Sequence, residues 1–474
     1  MIVLIALVVL IAVLLTRTAI VCVKARKLSP SQFSCSEETL QKHGDGLSAF
    51  IQCQTVSHKD SYDDTEFAKL RLVVRERFPL LHQQAEYQVF GSDCWMYKIP
   101  GKDPSRNIML MSHHDVVEAG EGWTYPPFGG VVDEGRLYGR GTVDTKSPLY
   151  AQMAAMEALL ETGFQPECNV YIGSSHNEET SGDGFPKAVA YFKEQGITFE
   201  VVMDEGGAVV DAPLGGMKCK KCAMVAVHEK GRYRLNCTAT AASSHTSLNG
   251  AGAANVNERM AFFIRDVQRT KPFIRRLNPQ MKAMFTALAP YCSAPMRVLF
   301  SNLWLFGGLL TALLPKISPQ AGGMIGTSCV FNKIQGESVK NSCTCTALLR
   351  SVDRADMEKD LAAFYAIAKK YDIQVQADPT AAYFDPADLS RPAYAYTMDR
   401  IAHHFPDAPA APMILTAGSD ARYMAEVCDC VLRFTPIRLS KAQLSSVHAK
   451  DENIDLSTVA EAVAFYKDYV ASYR

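Results

Sequence analysis

Short apolar runs recur along the first half of the chain, and each stops at histidine or carboxylate. The run Asn169–Ser175 reads as a buried strand and is followed by Glu178, Glu179 and a glycine-rich turn. "NIMLMSHHDVV" ends its apolar stretch at His113, His114 and Asp115. "GRLYGRGTVDTKS" sets Asp144 just before a helix expected over Ser147–Thr162, with Gly163 as its terminator. "FEVVMDEGG" stops at Asp204, Glu205 and a glycine pair. Runs this short and apolar fit parallel strands covered on both faces. Between them lie helical stretches, so residues from about 30 to 227 read as an α/β unit.

Beyond Lys230 the rhythm changes. "RYRLNCTATA" alternates as a half-exposed strand does, and "NVNERMAFFIRDVQ" has helical spacing. "TSCVFNKIQ" and "SCTCTALLRSV" read as strands again. In "DMEKDLAAFYAIAKKY", Leu361, Phe364, Tyr365, Ala368 and Tyr371 fall on one helical face, and "IQVQAD" closes the set. The order βαββαβ predicts an inserted ferredoxin-like α+β domain. The chain then returns to the α/β unit through "MILTAGSDARYM", "CVLRFTP" and a last helix. We therefore expect an N-terminal segment at 1–27, a catalytic domain in two parts at 28–227 and 381–474, and a lid domain at 228–380.

In open α/β sheets, ligands bind beyond the carboxyl ends of the strands. His113, Asp144, Glu179 and Asp204 all follow apolar runs, and His448 in "LSSVHAKDENIDLS" is a late fifth contributor. Imidazole and carboxylate suit zinc and its neighbours, and five such ligands with one bridging carboxylate can hold two metals. Two adjacent carboxylates can also divide labour between metal and proton. Each residue taken singly reads as a loop or capping residue. The ordered set points to a metal centre.

These motifs carry a resemblance. The H-x-D strand end at His113-His114-Asp115, "GRGTVDTK", the Glu178-Glu179 pair and "VMDEGG" resemble the di-zinc aminoacylase/carboxypeptidase metallopeptidase family. "SNLWLF", "LRFTP" and "SSVHAKDEN" are similar to its N-fatty-acyl-amino-acid synthase/hydrolase and carboxypeptidase S branch. The resemblance runs from about Pro30 to the C-terminus. It implies a di-zinc exopeptidase-type catalytic domain with a lid that dimerises, and two Zn2+ per subunit, replaceable by Co2+ or Mn2+. His113 and Asp204 would bind one zinc, Glu179 and His448 the other, and Asp144 would bridge. Asp115 would orient His113, Glu178 would be the general base, and His245 in the lid would stabilise the oxyanion. His114 would be the variable middle residue. Gly418 and Ser419 in "GSDAR" would lie near substrate. Arg350 and Asn341 are candidates for a substrate carboxylate, although the family's N-V-I-P turn near Asn341 is not visible. The final motif also departs, reading His448-Ala449-Lys450-Asp451-Glu452 in place of H-G-x-N-E. The implied reaction cleaves, or in reverse forms, the amide bond of N-acyl amino acids with long apolar acyl groups. The alternatives are a carboxypeptidase or dipeptidase acting on small peptides, and a non-catalytic binding protein of the same fold.

Charge and composition narrow this little. A net charge of −1 offers no field for nucleic acid. Fourteen cysteines show no disulfide framework. Ile2–Val23 is apolar apart from Thr16-Arg17-Thr18 and is long enough for one membrane span. It lacks the basic n-region and cleavage site of a signal peptide, so we read it as an uncleaved anchor; cleavage would make the protein secreted. Lys24, Arg26 and Lys27 favour a cytoplasmic C-terminal side, whereas the family resemblance favours a lumenal or secreted one. Within the lid, residues 273–322 form an apolar insertion that includes Trp304 and Phe306. We expect it to line an acyl-chain pocket, to touch the membrane, or to complete a buried helical hairpin.

Overall fold

The computed structural model describes residues 1–59, 61–241, 255–317, 319–337, 341–378 and 383–474. A ten-stranded sheet forms the centre. Its spatial order is Glu86–Phe90, Cys94–Ile99, Cys168–Ser175, Asp103–His113, Val201–Asp204, Val431–Arg433, Lys221–Glu229, Val209–Asp211 and Arg438–Leu439, with Ala410–Leu415 also paired to Lys221–Glu229. The strands that end in candidate ligands run parallel, and their carboxyl ends align. His113 lies opposite Ser175, and Asp204 opposite Arg433. Every residue of Cys168–Ser175 and of Val201–Asp204 is buried, which is why these strands read as continuous apolar runs.

Helices cover the sheet. Lys146–Leu160 is buried along almost its whole length and packs on the C-terminal helix Leu456–Ser472. It starts one residue before the predicted Ser147 and ends two before Thr162. Gly163, at φ 71°, closes it with its amide on the Leu160 carbonyl.

A separate four-stranded antiparallel sheet, in the order Ser328–Glu337, Ser342–Ser351, Gly231–Thr240, Gln374–Ala377, carries helices Val256–Thr270 and Arg354–Lys370. Phe263, Phe364, Leu235 and Leu349 lie in its own core. This is the ferredoxin-like order expected of the lid.

The apolar insertion folds as a string of helices: Pro279–Leu288, Ala294–Ser301, Leu303–Ile317 and Pro319–Met324. Its core does not belong to the lid sheet. Met281, Phe285, Leu310 and Leu314 share a cluster with Met224, Ala411 and Ile414 of the central sheet. Strands Lys221–Glu229 and Ala410–Leu415 offer apolar surface there that local sequence spacing does not reveal.

Among the described residues one helix, Ile2–Val23, is long and apolar enough to cross a membrane. It is almost wholly exposed except at Thr18.

Candidate metal centre and adjoining cavity

Four of the five predicted ligands meet directly. His113 ends its strand with only 1% of its surface exposed. Its Nε2 lies 3.0 Å from Asp144 Oδ1. The other oxygen of Asp144 is 3.0 Å from His448 Nε2, which is also 3.0 Å from Glu179 Oε1. Asp144 thus stands between the two imidazoles, the position a bridging carboxylate takes between two cations. Ligand atoms of His113, Asp144 and Glu179 all lie within 4.8 Å of one another. Asp204 is buried at the end of the neighbouring strand and accepts the Ala421 amide at 3.1 Å through Oδ2.

The electrostatics fit a cation. Burial raises Asp204 above the ordinary carboxylate value. Burial also raises Glu205, joined by the charges of Asp144 and Asp204. Burial alone would lower His113, but hydrogen bonds with Asp115 and Asp144 outweigh it and hold the imidazole well above its usual value. Hydrogen bonds to Asp144 and Glu179 push His448 up to about 10. So many buried carboxylates around two imidazoles favour bound positive charge, which divalent metal would supply.

Asp115 supports the centre without facing it. Its backbone oxygen lies 3.0 Å from His113 Nδ1, and its carboxylate oxygen Oδ1 is 3.3 Å from the same nitrogen. The carboxylate also accepts the amides of Glu178 and Glu179 and the Ser57 hydroxyl. One side chain therefore fixes the ring of His113 and the loop carrying both glutamates. Burial, reinforced by the charges of Asp420, Asp115 and Glu179, raises Glu178 well above the usual carboxylate value. His114 points away from the centre: it stacks on Trp95 at 3.9 Å, and its Nδ1 lies 2.9 Å from Ser174 Oγ.

Beside the glutamates, Thr180 and Ser181 open onto a cavity of about 330 Å3. Arg232, Arg234, Arg350, Arg422, Lys59 and Lys230 line it, against Glu229. Arg350 donates to the Thr416 carbonyl at 2.6 Å, and Arg232 to Ser181 Oγ at 3.1 Å. Gly418 also lines the cavity; a Cβ there would meet the Arg422 guanidinium at 2.6 Å. Ser419 is fully buried, with its amide on Glu229 and its hydroxyl accepting from Arg433, so it shapes the wall from behind.

Asn341 is elsewhere. It precedes strand Ser342–Ser351 while Arg350 sits near that strand's far end, roughly 30 Å away at about 3.4 Å per residue. Its carbonyl accepts the Ala241 amide, at the edge of residues 242–254. His245 lies outside the described residues.

Sequence reasoning did not pair Arg140 with Glu452 and missed Arg232 and Arg234, whereas Arg422 closes the "GSDAR" loop already read as near substrate. Glu452 had a signal, since it closes the "HAKDE" motif. Arg232 and Arg234 had none, because only the docking of lid on catalytic unit gathers them.

Known proteins match both the chain and its fold. The N-fatty-acyl-amino acid synthase/hydrolase PM20D1 of Xenopus tropicalis is 28% identical over 98% of this chain and 92% of its own. A probable carboxypeptidase S-like protein 2 of Dictyostelium discoideum is 27% identical over 86% of this chain and 80% of its own. Among solved structures, an M20 family metallo-carboxypeptidase from Sulfolobus solfataricus superposes with a TM-score of 0.65 at 15% identity, covering 92% of this chain and 99% of that one. The profile of peptidase family M20/M25/M40 matches residues 109–472, the stretch that carries His113, Asp144, Glu178, Glu179, Asp204 and His448. With that match and a ligand cluster closed around Asp144, the chain belongs to peptidase family M20/M25/M40 and is a metal-dependent amidohydrolase.

Proposed function

We propose that this protein is a di-zinc hydrolase of N-acyl amino acids with long apolar acyl groups. The observation that carries the reading is the cluster His113–Asp144–His448–Glu179 set beside a cavity rich in arginine. His113 and Asp204 would hold one zinc, Glu179 and His448 the other, with Asp144 between them. Bound divalent cations would acidify the attacking water and polarise the scissile carbonyl. Glu178 takes the proton of that water as its oxygen bonds to the carbonyl carbon. The same carboxyl then delivers the proton to the leaving nitrogen as the C–N bond breaks, releasing a fatty acid and a free amino acid. A carboxyl positioned next to the candidate ligands by the Asp115 grip on the Glu178 and Glu179 amides suits both transfers. Arg350, with Arg422 and Arg232 close by, would grip the substrate carboxylate.

The cationic cavity fits the C-terminal carboxylate of a small peptide equally well, so a carboxypeptidase or dipeptidase is the second reading. Incubating the zinc-loaded protein with long-chain N-acyl, N-acetyl and dipeptide substrates, followed by mass spectrometry, separates them. Preferred release from long-chain substrates supports the first reading, and preferred dipeptide cleavage the second.

Two features of assembly belong to the same proposal. Ile2–Val23 is 22 residues, about 33 Å of helix, and serves as a retained membrane anchor. Supporting this, Arg26 just beyond it donates to the carbonyls of Phe405, Pro406 and Ala408, so the helix end is built into the catalytic unit. A homodimer through the lid is the arrangement that would carry Asn341 and His245 to a partner's metal centre.

A further inference from the structure

The insertion forms an elbow beside the N-terminal helix. Helices Ala294–Ser301 and Leu303–Ile317 are bent by 108° at Asn302. The Asn302 amide group donates to the Leu14 carbonyl and to Thr18 Oγ1, both at 3.2 Å, and to the Val298 carbonyl at 2.8 Å. Thr18 is buried in this contact, and Leu14 and Val21 are partly buried on the same helical face. The elbow therefore grips the apolar helix well inside its end. Thr18 lies about 9 Å and Leu14 about 15 Å along the axis from Lys24. An asparagine satisfied by a carbonyl and a hydroxyl of the neighbouring helix is the kind of contact that joins helices where water is absent.

The second helix of the elbow is apolar on both sides. Leu310 and Leu314 face the protein core. Trp304, Leu305, Leu309, Leu313 and Ile317 are 55%, 42%, 51%, 38% and 75% exposed. Four of these recur every fourth residue and make one continuous outward stripe. A helix without a polar face is covered by protein or by lipid. Here one side has protein, and the other starts at the level of Thr18 on the anchor helix. Lys316, near its end, is the helix's single formal charge.

We propose that helix Leu303–Ile317 is a second membrane contact, lying beside the anchor with its leucine stripe and Trp304 against lipid acyl chains. This rests on the reading of Ile2–Val23 as a retained anchor. The contact also reaches the cavity. The next helix, Pro319–Met324, carries Gly323, whose carbonyl accepts from Lys230 in the cavity wall at 2.8 Å. A lipid-like substrate arriving along the membrane would meet the protein on the side that leads to its cationic cavity.

The test uses the full chain reconstituted in phosphatidylcholine vesicles whose acyl chains carry bromine at mid-chain. Trp95, Trp123 and Trp304 are the three tryptophans, so subtracting the spectrum of Trp304→Phe isolates one of them. Alkaline carbonate extraction of the same vesicles reports the anchor. Carbonate-resistant protein whose Trp304 emission is quenched, with that quenched component lost in Trp304→Phe, is the expected result. Carbonate-resistant protein with Trp304 unquenched overturns the second contact and leaves the anchor standing. Extractable protein with Trp304 unquenched overturns the anchor and the contact together.

Discussion

Arg140 and Glu452, 312 positions apart, form an ion pair at 2.6 Å with almost no exposure of either side chain. Glu452 does more than neutralise the guanidinium. Its carboxylate accepts the amides of Gly141, Val143 and Asp144, at 3.2, 2.7 and 3.1 Å. Arg140 in turn donates to the Ala449 carbonyl, next to His448. The pair thereby ties the loop of the bridging aspartate to the loop of the last histidine. Removing the carboxylate leaves a buried cation and three amides unpaired, so Glu452→Ala should cost about 3–5 kcal/mol of stability in a denaturant titration. Glu452→Gln keeps the volume and should fold, with metal affinity lowered about 10–100-fold. Unchanged metal affinity in the glutamine variant would remove Glu452 from the centre's support.

In the proposed two-metal centre each half would have its own imidazole. His448 is about half exposed and held at φ 58°, so its replacement disturbs little packing. His448→Ala should keep its fold and lose one of two bound metals by elemental analysis. Two metals retained would place the second site elsewhere.

Arg350 is the proposed partner of a substrate carboxylate. Arg350→Ala should remove a charged hydrogen bond of about 1.5–3 kcal/mol, roughly a tenfold or greater rise in KM for free-acid substrates. Carboxyl-amidated substrates should show little further change. Equal losses for both would mean that Arg350 holds the lid, through the Thr416 carbonyl, and not the substrate.

Most of the candidate ligand cluster is legible in the sequence. Buried parallel strands are apolar throughout, so a His or Asp at their end stands out, as His113 and Asp204 do. Asp115 was assigned to His113 by resemblance, and the structure adds its grip on the Glu178 and Glu179 amides. Arg140 and Glu452 both fall in recognisable motifs, but their pairing is not legible, because they lie 312 positions apart and only tertiary contact brings them together. The insertion was read as part of the lid because it falls inside the lid in sequence. Its apolar residues instead cover Met224 and Ile414, which lie on strands of the other unit. Asn341 is a candidate for the substrate carboxylate without the expected N-V-I-P turn around it, and the strand that follows carries it to the opposite end from Arg350.

That displacement has a consequence for assembly. If a partner's lid completes each centre, Asn341→Ala and Glu178→Ala should both be nearly inactive as pure proteins. Mixed under conditions of subunit exchange, they should regain activity through hybrid dimers with one intact centre. Light scattering should give the mass of a dimer. No recovery on mixing, with exchange demonstrated, would confine each active site to one chain.

Proton transfer by Glu178 at a metal centre built around Asp144 is the proposal on which the other expectations rest. The most direct measurement is the turnover of long-chain N-acyl amino acids by zinc-loaded wild type and Glu178→Ala, with bound metal determined on the same samples. The expected result is a fall in kcat of about 10²–10⁴-fold with metal content unchanged. Turnover retained in Glu178→Ala at full metal occupancy would contradict it.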